Sequence, residues 1–396
     1  MAIPQLLLYR RAMAIFRNRQ FNLIYIHAAL QAFAMHGGEA FAFVYLLKAG
    51  IPVHVVLFCI GALFASRLMF RKFVLPAAKR FGLRNALIFG ILLEALTYPL
   101  LSQVSEVGAL LVAYLAMWAI SSSFYWTTYH AFVVMVGDDE SRGAQVSMME
   151  FIGMFIGIIA PISTGLMLSY FSPLVAFGVV GIGMACSAIP LMFTPNLRVA
   201  DVMAMPSDVL RQARLVLFTD GLRSGTFHFT WLIALFITLG SNFTAFGGAM
   251  SLAGIVGAMA GLFLGKSIDL GRGKKAAQIG FSVLAVAALA RAVGYAEPWT
   301  AVLANAMAAI AWPIYATAYN SRVYVLAQQS PCPLRFHVIA EGGWDFGTAT
   351  GCFAAAALTY FGFSFFWPLA LALVACALGY WVLAATFENE SPVGAA

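Results

Sequence analysis

Apolar positions dominate the chain and fall in long runs. A membrane-spanning helix needs about 20 mostly apolar residues. Twelve runs meet that need, at roughly 21–47, 52–76, 84–103, 107–135, 144–170, 173–193, 222–240, 244–267, 276–294, 299–325, 338–360 and 364–386. Gly and Pro recur inside them, as in membrane helices that pack closely or kink. Gly254, Gly257, Gly261 and Gly265 place small residues along one face of the eighth run, which predicts close packing against a neighbour.

Two hairpins interrupt the apolar pattern. The first, residues 125–165, carries Trp126, Tyr129, His130 and Glu150. The second, residues 312–351, repeats the Trp-x-x-Tyr spacing with Trp312 and Tyr315. It continues through Tyr319 and Asn320 to His337, Glu341 and Asp345. Ionisable groups at membrane depth are costly and mark function by default. An echo between the two halves is what an internally repeated membrane fold produces.

Composition agrees with lipid as the solvent. The chain is 62% hydrophobic and 10% charged, with mean hydropathy +0.88, whereas soluble domains carry about 25% charged residues. The net charge of +7 is topological. Arg10, Arg11, Arg17 and Arg19 precede the first run. Arg71, Lys72, Lys79, Arg80 and Arg84 surround the turn after the second, and Lys266, Arg272, Lys274 and Lys275 the turn after the eighth. Turns on the other side hold almost none, Lys48 excepted. The positive-inside rule then puts both termini in the cytoplasm, as an even number of spans also requires, and leaves no role for nucleic acid. Residues 1–20 are basic, and the apolar run that follows is too long for a signal peptide, so the first span is expected to be retained. The cysteines (Cys59, Cys186, Cys332, Cys352 and Cys376) show no paired spacing, so neither a disulfide framework nor a zinc site is expected.

The longest interior polar segment divides the runs six and six. The division predicts a first bundle over 1–194, a central cytoplasmic loop over 195–221 and a second bundle over 222–396. Asp208 to Phe218 could form a short amphipathic helix on the membrane surface, or the segment could be a plain linker.

Twelve spans, this split and the turn motifs resemble the major facilitator superfamily. Its turn after the second span reads Gly-x-x-x-Asp-Arg-x-Gly-Arg-Lys. Residues 75–84 match it at Arg80, Gly82 and Arg84, with Leu75 at the Gly position and Lys79 at the Asp position. The turn after the eighth keeps Gly265 and Asp269, followed by Arg272 one place out of register. The resemblance implies an all-α membrane protein with twelve transmembrane helices in two pseudo-symmetric six-helix bundles. It also implies alternating access about a central cavity and a cytoplasmic latch at these turns, from Lys79, Arg80, Gly82 and Arg84 to Gly265, Asp269 and Arg272. Lys79 in the acid's place shifts the weight of that latch to Asp269.

Within the spans, His36 and Glu39 share one helix face. They face a cavity or form a paired structural group. His337, Glu341 and Asp345 form one stripe about 12 Å long, able to relay protons or hold a cation. Alternatively His337 belongs to the loop, and the two acids pair with Arg322 or Arg335. Arg67 could neutralise Glu94 or Glu150. Trp126, Tyr129 and His130, with Trp312, Tyr315, Tyr319 and Asn320 in the other half, are expected to line the cavity. The seventeen methionines raise a soft-metal alternative, but Met in apolar helices usually packs, and no metal or cofactor is expected.

The sequence reading is therefore a secondary transporter of a small solute in the inner membrane, proton-coupled and monomeric. Glu150 and Glu341 lead as coupling acids, with Glu39 next. Export of amphipathic compounds and transition-metal transport are alternatives. So is a non-transporting sensor or assembly factor on the same fold. No Walker loop, zinc-hydrolase motif or nucleophile elbow is present.

Overall fold

The computed structural model describes residues 16–138, 142–199, 207–264, 273–328 and 332–388. The chain is helical throughout these segments. Rod α1 covers residues 19–48, as Arg19–Ala34, a π-helical turn Met35–Glu39 and Ala40–Lys48. It is followed by α2 (Val53–Arg71), the short α3 (Val74–Phe81), α4 (Leu83–Leu101), α5 (Ala109–Val136), α6 (Arg142–Tyr170) and α7 (Pro173–Met192). Rod α8 covers residues 207–238, as Ser207–Arg223, a second π-helical turn Ser224–Phe229 and Thr230–Thr238. Then come α9 (Phe243–Leu264), α10 (Gly273–Gly294), α11 (Pro298–Gln328), α12 (Pro333–Tyr360) and α13 (Phe366–Glu388).

Local chemistry sets the ends. The Asn18 side chain caps α1 by accepting from the Phe21 amide at 3.1 Å. Gly82 joins α3 to α4 at φ +89°, in the left-handed region that a side chain disfavours. Among the described residues, nine helices are long and apolar enough to cross a membrane: α2, α4, α5, α6, α7, α9, α10, α11 and α13. The chain is thus an integral membrane protein. The other three long rods are α1, α8 and α12. Two are broken by π turns, and all three carry ionisable residues that face the interior. Phe151, Phe155 and Ile159 on α6 are exposed at i, i+4, i+8, the outward stripe of a lipid-facing helix.

The packing repeats. In the first half α1 packs on α6 and α7, α4 on α5 and α7, and α2 on α5. In the second half α8 packs on α12 and α13, α10 on α11 and α13, and α9 on α11. Between halves α2 packs on α12, and α6 on α9. Trp126 on α5 and Trp312 on α11 therefore occupy corresponding rods.

The expected glycine stripe is used against two neighbours. A Cβ on Gly254 would lie 2.9 Å from the Gly157 carbonyl oxygen of α6, and one on Gly257 would lie 3.2 Å from the Ala309 oxygen of α11. Backbone approach this close requires the missing side chain. Gly265 lies outside the described residues.

One segment differs from expectation. Asp208 to Phe218 is not a separate surface helix but part of α8, which runs from Ser207 and buries Ala213, Val216, Leu217 and Asp220. Of its charged residues Asp208, Arg211 and Arg214 are exposed, and Asp220 is buried.

Candidate functional site

A cavity of about 680 Å³ lies between the two halves. At one limit its wall is Ala40, Trp118, Pro161, Leu232 and Met250. At the other it reaches Glu150, Val323 and His337. Beyond the first limit, buried Phe41 of α1 packs against Phe243 and Phe246, which in turn pack on Phe236. These rings plug that end of the molecule. Outside them Lys48 Nζ donates to the Ser241 carbonyl at 3.1 Å.

Four polar groupings stand around the cavity. The first joins the halves. Arg71, at the end of α2, donates from Nη1 to Glu341 Oε2 at 2.5 Å and to Thr127 Oγ1 at 2.6 Å. From Nε (3.1 Å) and Nη2 it donates to Asp345 Oδ2. Arg67, one turn earlier, holds Asp345 Oδ1 in an ion pair at 3.2 Å. Thr127 donates to Glu341 Oε2 at 3.3 Å, and His130 Nδ1 meets Glu341 Oε1 at 2.8 Å. Two cations and two carboxylates form a neutral buried quartet, the condition under which buried charge is tolerated. The acids thus pair across the halves and not with Arg322 or Arg335. Arg322 instead donates from Nε to Thr386 at 2.8 Å. Arg67 goes to Asp345 and not to Glu150.

The second grouping is a carboxyl pair. Glu39, in the π turn of α1, and Glu94 of α4 are neighbours, with Arg67 nearby. Like charges set side by side away from water repel, so two neighbouring carboxyl groups do not readily both ionise. Glu39 lines the cavity, and Glu94 lies behind it, 1% exposed.

The third grouping centres on Asp220 of α8. Its Oδ1 accepts from Arg223 Nε at 2.7 Å and from the Tyr315 hydroxyl at 2.6 Å. Its Oδ2 accepts from Trp344 Nε1 at 2.9 Å. The Arg223 guanidinium stacks on Trp312 and Tyr315, each 5.2 Å from the ring centre. The fourth is Arg291 of α10. It donates to the Phe227 carbonyl at 2.7 Å and to Asn305 Oδ1 at 3.1 Å, with Phe227 and Trp231 against its face.

Of the expected residues, His36, Glu39, Trp126, His130 and Glu150 line the cavity. So do Trp312, Tyr319, Asn320, His337 and Glu341. Three do not. Tyr129 turns toward Met149, to whose sulfur its hydroxyl donates at 3.5 Å. Tyr315 is spent on Asp220. Asp345, fully buried, lies behind Glu341 in the quartet. His27 is a packing histidine held by the Ser187 carbonyl at 2.9 Å and the Tyr125 hydroxyl at 3.1 Å. Arg84 ties α4 to the end of α7 within its own half, at 2.8 Å from the Thr194 carbonyl. Lys79 and Arg80 are exposed at the end of α3, and Gly82 forms the turn. Asp269 and Arg272 of the second turn lie outside the described residues.

Sequence reasoning missed Arg71, Asp220 and Arg223 as site residues. A signal for the first exists: Arg67 and Arg71 are spaced i, i+4 on α2, matching Glu341 and Asp345 at i, i+4 on α12. His130, His337 and Glu341 bring their ligand atoms within 4.8 Å of one another, the one grouping among the described residues able to hold a metal. Arg71 on the other oxygen of Glu341 sets a positive charge beside any ion there, so the grouping suits hydrogen bonding better than a divalent cation.

No family model and no curated protein sequence matches the chain. Solved structures do. The fold is similar to that of the human organic anion transporter MFSD10 (TETRAN), with TM-score 0.69 and 14% identity over 92% of this chain and 99% of that one. It is similar to the POT family transporter PepTSo, with TM-score 0.67 and 14% identity over 94% and 99%. It is also similar to a proton-dependent oligopeptide (POT) family transporter, with TM-score 0.68 and 12% identity over 91% and 99%. The chain shares the fold of these solved transporters.

Proposed function

We propose that the protein is a proton-coupled secondary transporter that carries a small solute across the inner membrane by alternating access. The observation that carries the coupling is the Glu39–Glu94 pair on the cavity wall. Glu341 is held by Arg71, and an acid so fixed stays charged through a cycle. Two neighbouring carboxyl groups can take up and release a proton between them as the cavity changes its access. This moves the coupling role from Glu341 to Glu39 and leaves Glu150, which faces the cavity, as the next candidate. The first six and last six long rods would act as the two rocking bodies, with the termini and the open part of the cavity on the cytoplasmic side.

A wall bearing Glu39, Glu150, His36 and His228 favours passage of a solute over a sensor, whose interior would be filled by apolar side chains. The structural neighbours named as transporters, two of them proton-dependent or POT proteins, support the same reading. Proteoliposomes loaded with a pH-sensitive dye test it. Addition of the right solute from a panel of metabolites should drive proton entry. Glu39→Gln should abolish that signal and gradient-driven accumulation while leaving solute exchange measurable. Wild-type accumulation in Glu39→Gln would remove Glu39 from coupling.

A further inference from the structure

Arg291 is buried, 7% exposed, and lines the cavity. The other arginines around this space have acids. Arg67 and Arg71 share Asp345 and Glu341, and Arg223 has Asp220. Among the described residues, no carboxylate forms an ion pair with Arg291. A buried guanidinium left without an anion is costly, and the fold keeps one here on purpose-built supports.

Those supports are neutral. The Phe227 carbonyl and Asn305 Oδ1 take one N–H from each terminal nitrogen. Asn305 is itself fixed by Trp231 Nε1 at 2.9 Å and by the Ala249 carbonyl at 3.2 Å. Phe227 lies 4.1 Å and Trp231 4.8 Å from the guanidinium carbon, so rings cover the plane. What remains is the edge. A guanidinium has five N–H donors in all, so each terminal nitrogen keeps a second N–H, while Nε is buried behind them with no hydrogen-bond partner. A planar edge with free donors fits the two oxygens of a carboxylate, or those of a phosphate, in a bidentate fork. On the opposite wall Glu39 and Glu150 disfavour an anion. The charge is therefore confined to the side formed by α8, α10 and α11.

We propose that Arg291 is the docking point for the oxyanion of the transported solute, so that the cargo is a small organic anion. The proposal rests on the cavity being the transport path. An anion entering with a proton also carries less net charge against the membrane potential than an anion alone.

Binding to the purified full-length protein in detergent tests the proposal without requiring transport. The probes are benzoate, succinate and phenyl phosphate, each beside its uncharged counterpart, benzamide, succinamide and phenol. Calorimetry or tryptophan fluorescence reads the affinity. At least one anion should bind while its neutral counterpart does not, and comparison of carboxylates with phenyl phosphate identifies the oxyanion. Arg291→Gln should weaken that binding roughly 10- to 100-fold, the range for a lost charge-assisted bond. Arg291→Lys, which keeps the charge and loses the fork, should fall between. Should Arg291→Gln fail to fold, Arg291→Lys and the wild-type comparison of anions with neutral counterparts still decide. Failure of all three anions to bind the wild type, or equal binding by the variants, overturns the proposal. Flux of uncharged solutes alone would also overturn it and leave the transporter reading intact. Arg291-dependent binding with no flux in proteoliposomes would do the reverse.

Discussion

Four hydrogen bonds leave the Arg71 guanidinium, two of them to Asp345 and one each to Glu341 and Thr127. A group so completely engaged behaves as structure. Removing one member of a buried ion cluster leaves its partner charged and unmatched, at a cost of about 3–5 kcal/mol. Asp345→Leu should therefore lower the thermal midpoint in detergent sharply, and Arg67→Leu should do so less. The double variant removes one charge of each sign and should be more stable than the sum of the two losses predicts. Strict additivity in a double-mutant cycle would show that the two groups do not interact. Arg291 differs from Arg71 in having only neutral partners. Arg291→Gln should leave stability unchanged or raise it while weakening anion binding, the opposite split from Asp345→Leu.

At the scale of the element, the glycines of α9 offer a paired test. A Cβ on Gly247 would sit 2.4 Å from the Pro161 carbonyl oxygen, and backbone cannot swing aside as a side-chain tip can. One on Gly248 would meet only Ile162 Cδ1, at 3.9 Å. Gly247→Ala should thus destabilise by about 1–3 kcal/mol, the usual cost of overpacking, and Gly248→Ala should be near neutral in the same melting assay. Equal melting of the two variants would mean that α6 and α9 are not packed this closely. The later glycines of α9, from Gly254 on, were legible in the sequence because small residues at fixed spacing predict close approach whatever the neighbour. Apolar runs such as 173–193 were legible for the same reason: lipid exposure dictates composition. The start of α8 was not. Asp208, Arg211 and Arg214 look like loop residues because they are exposed, and composition cannot tell an exposed helix face from a loop; Asp220, among them in sequence, is buried. The partners of Glu341 and Asp345 were hidden as well. Some 270 residues separate Arg71 from Glu341, and spacing along one helix says which residues share a face without saying what that face meets. The π turns of α1 and α8 left no signal that hydrophobic periodicity could report, although they carry Glu39 and His228 to the cavity wall.

The whole molecule repeats one packing scheme twice and places its cavity between the copies. The end formed by Lys48, Ser241 and the rings of Phe41, Phe236, Phe243 and Phe246 is shut, while the cavity extends the other way. If solute crosses by alternating access, this plug must part in every cycle. Lys48 and Ser241 are the contact that joins α1 to the turn between α8 and α9 just outside it. Cysteines at both positions, joined by a short bifunctional thiol reagent that a reductant cleaves, should hold the plug shut. Four of the native cysteines are buried, and only Cys186 is partly exposed, so the cross-link is best made in a Cys186→Ala background. The linked protein should still bind solute from the open side, since the cavity wall is untouched, yet flux in proteoliposomes should stop. Reduction should restore it, which separates locking from damage. Wild-type flux through the fully linked protein would mean that solute never passes this end. The flux would then follow another path, and alternating access through this cavity would be ruled out.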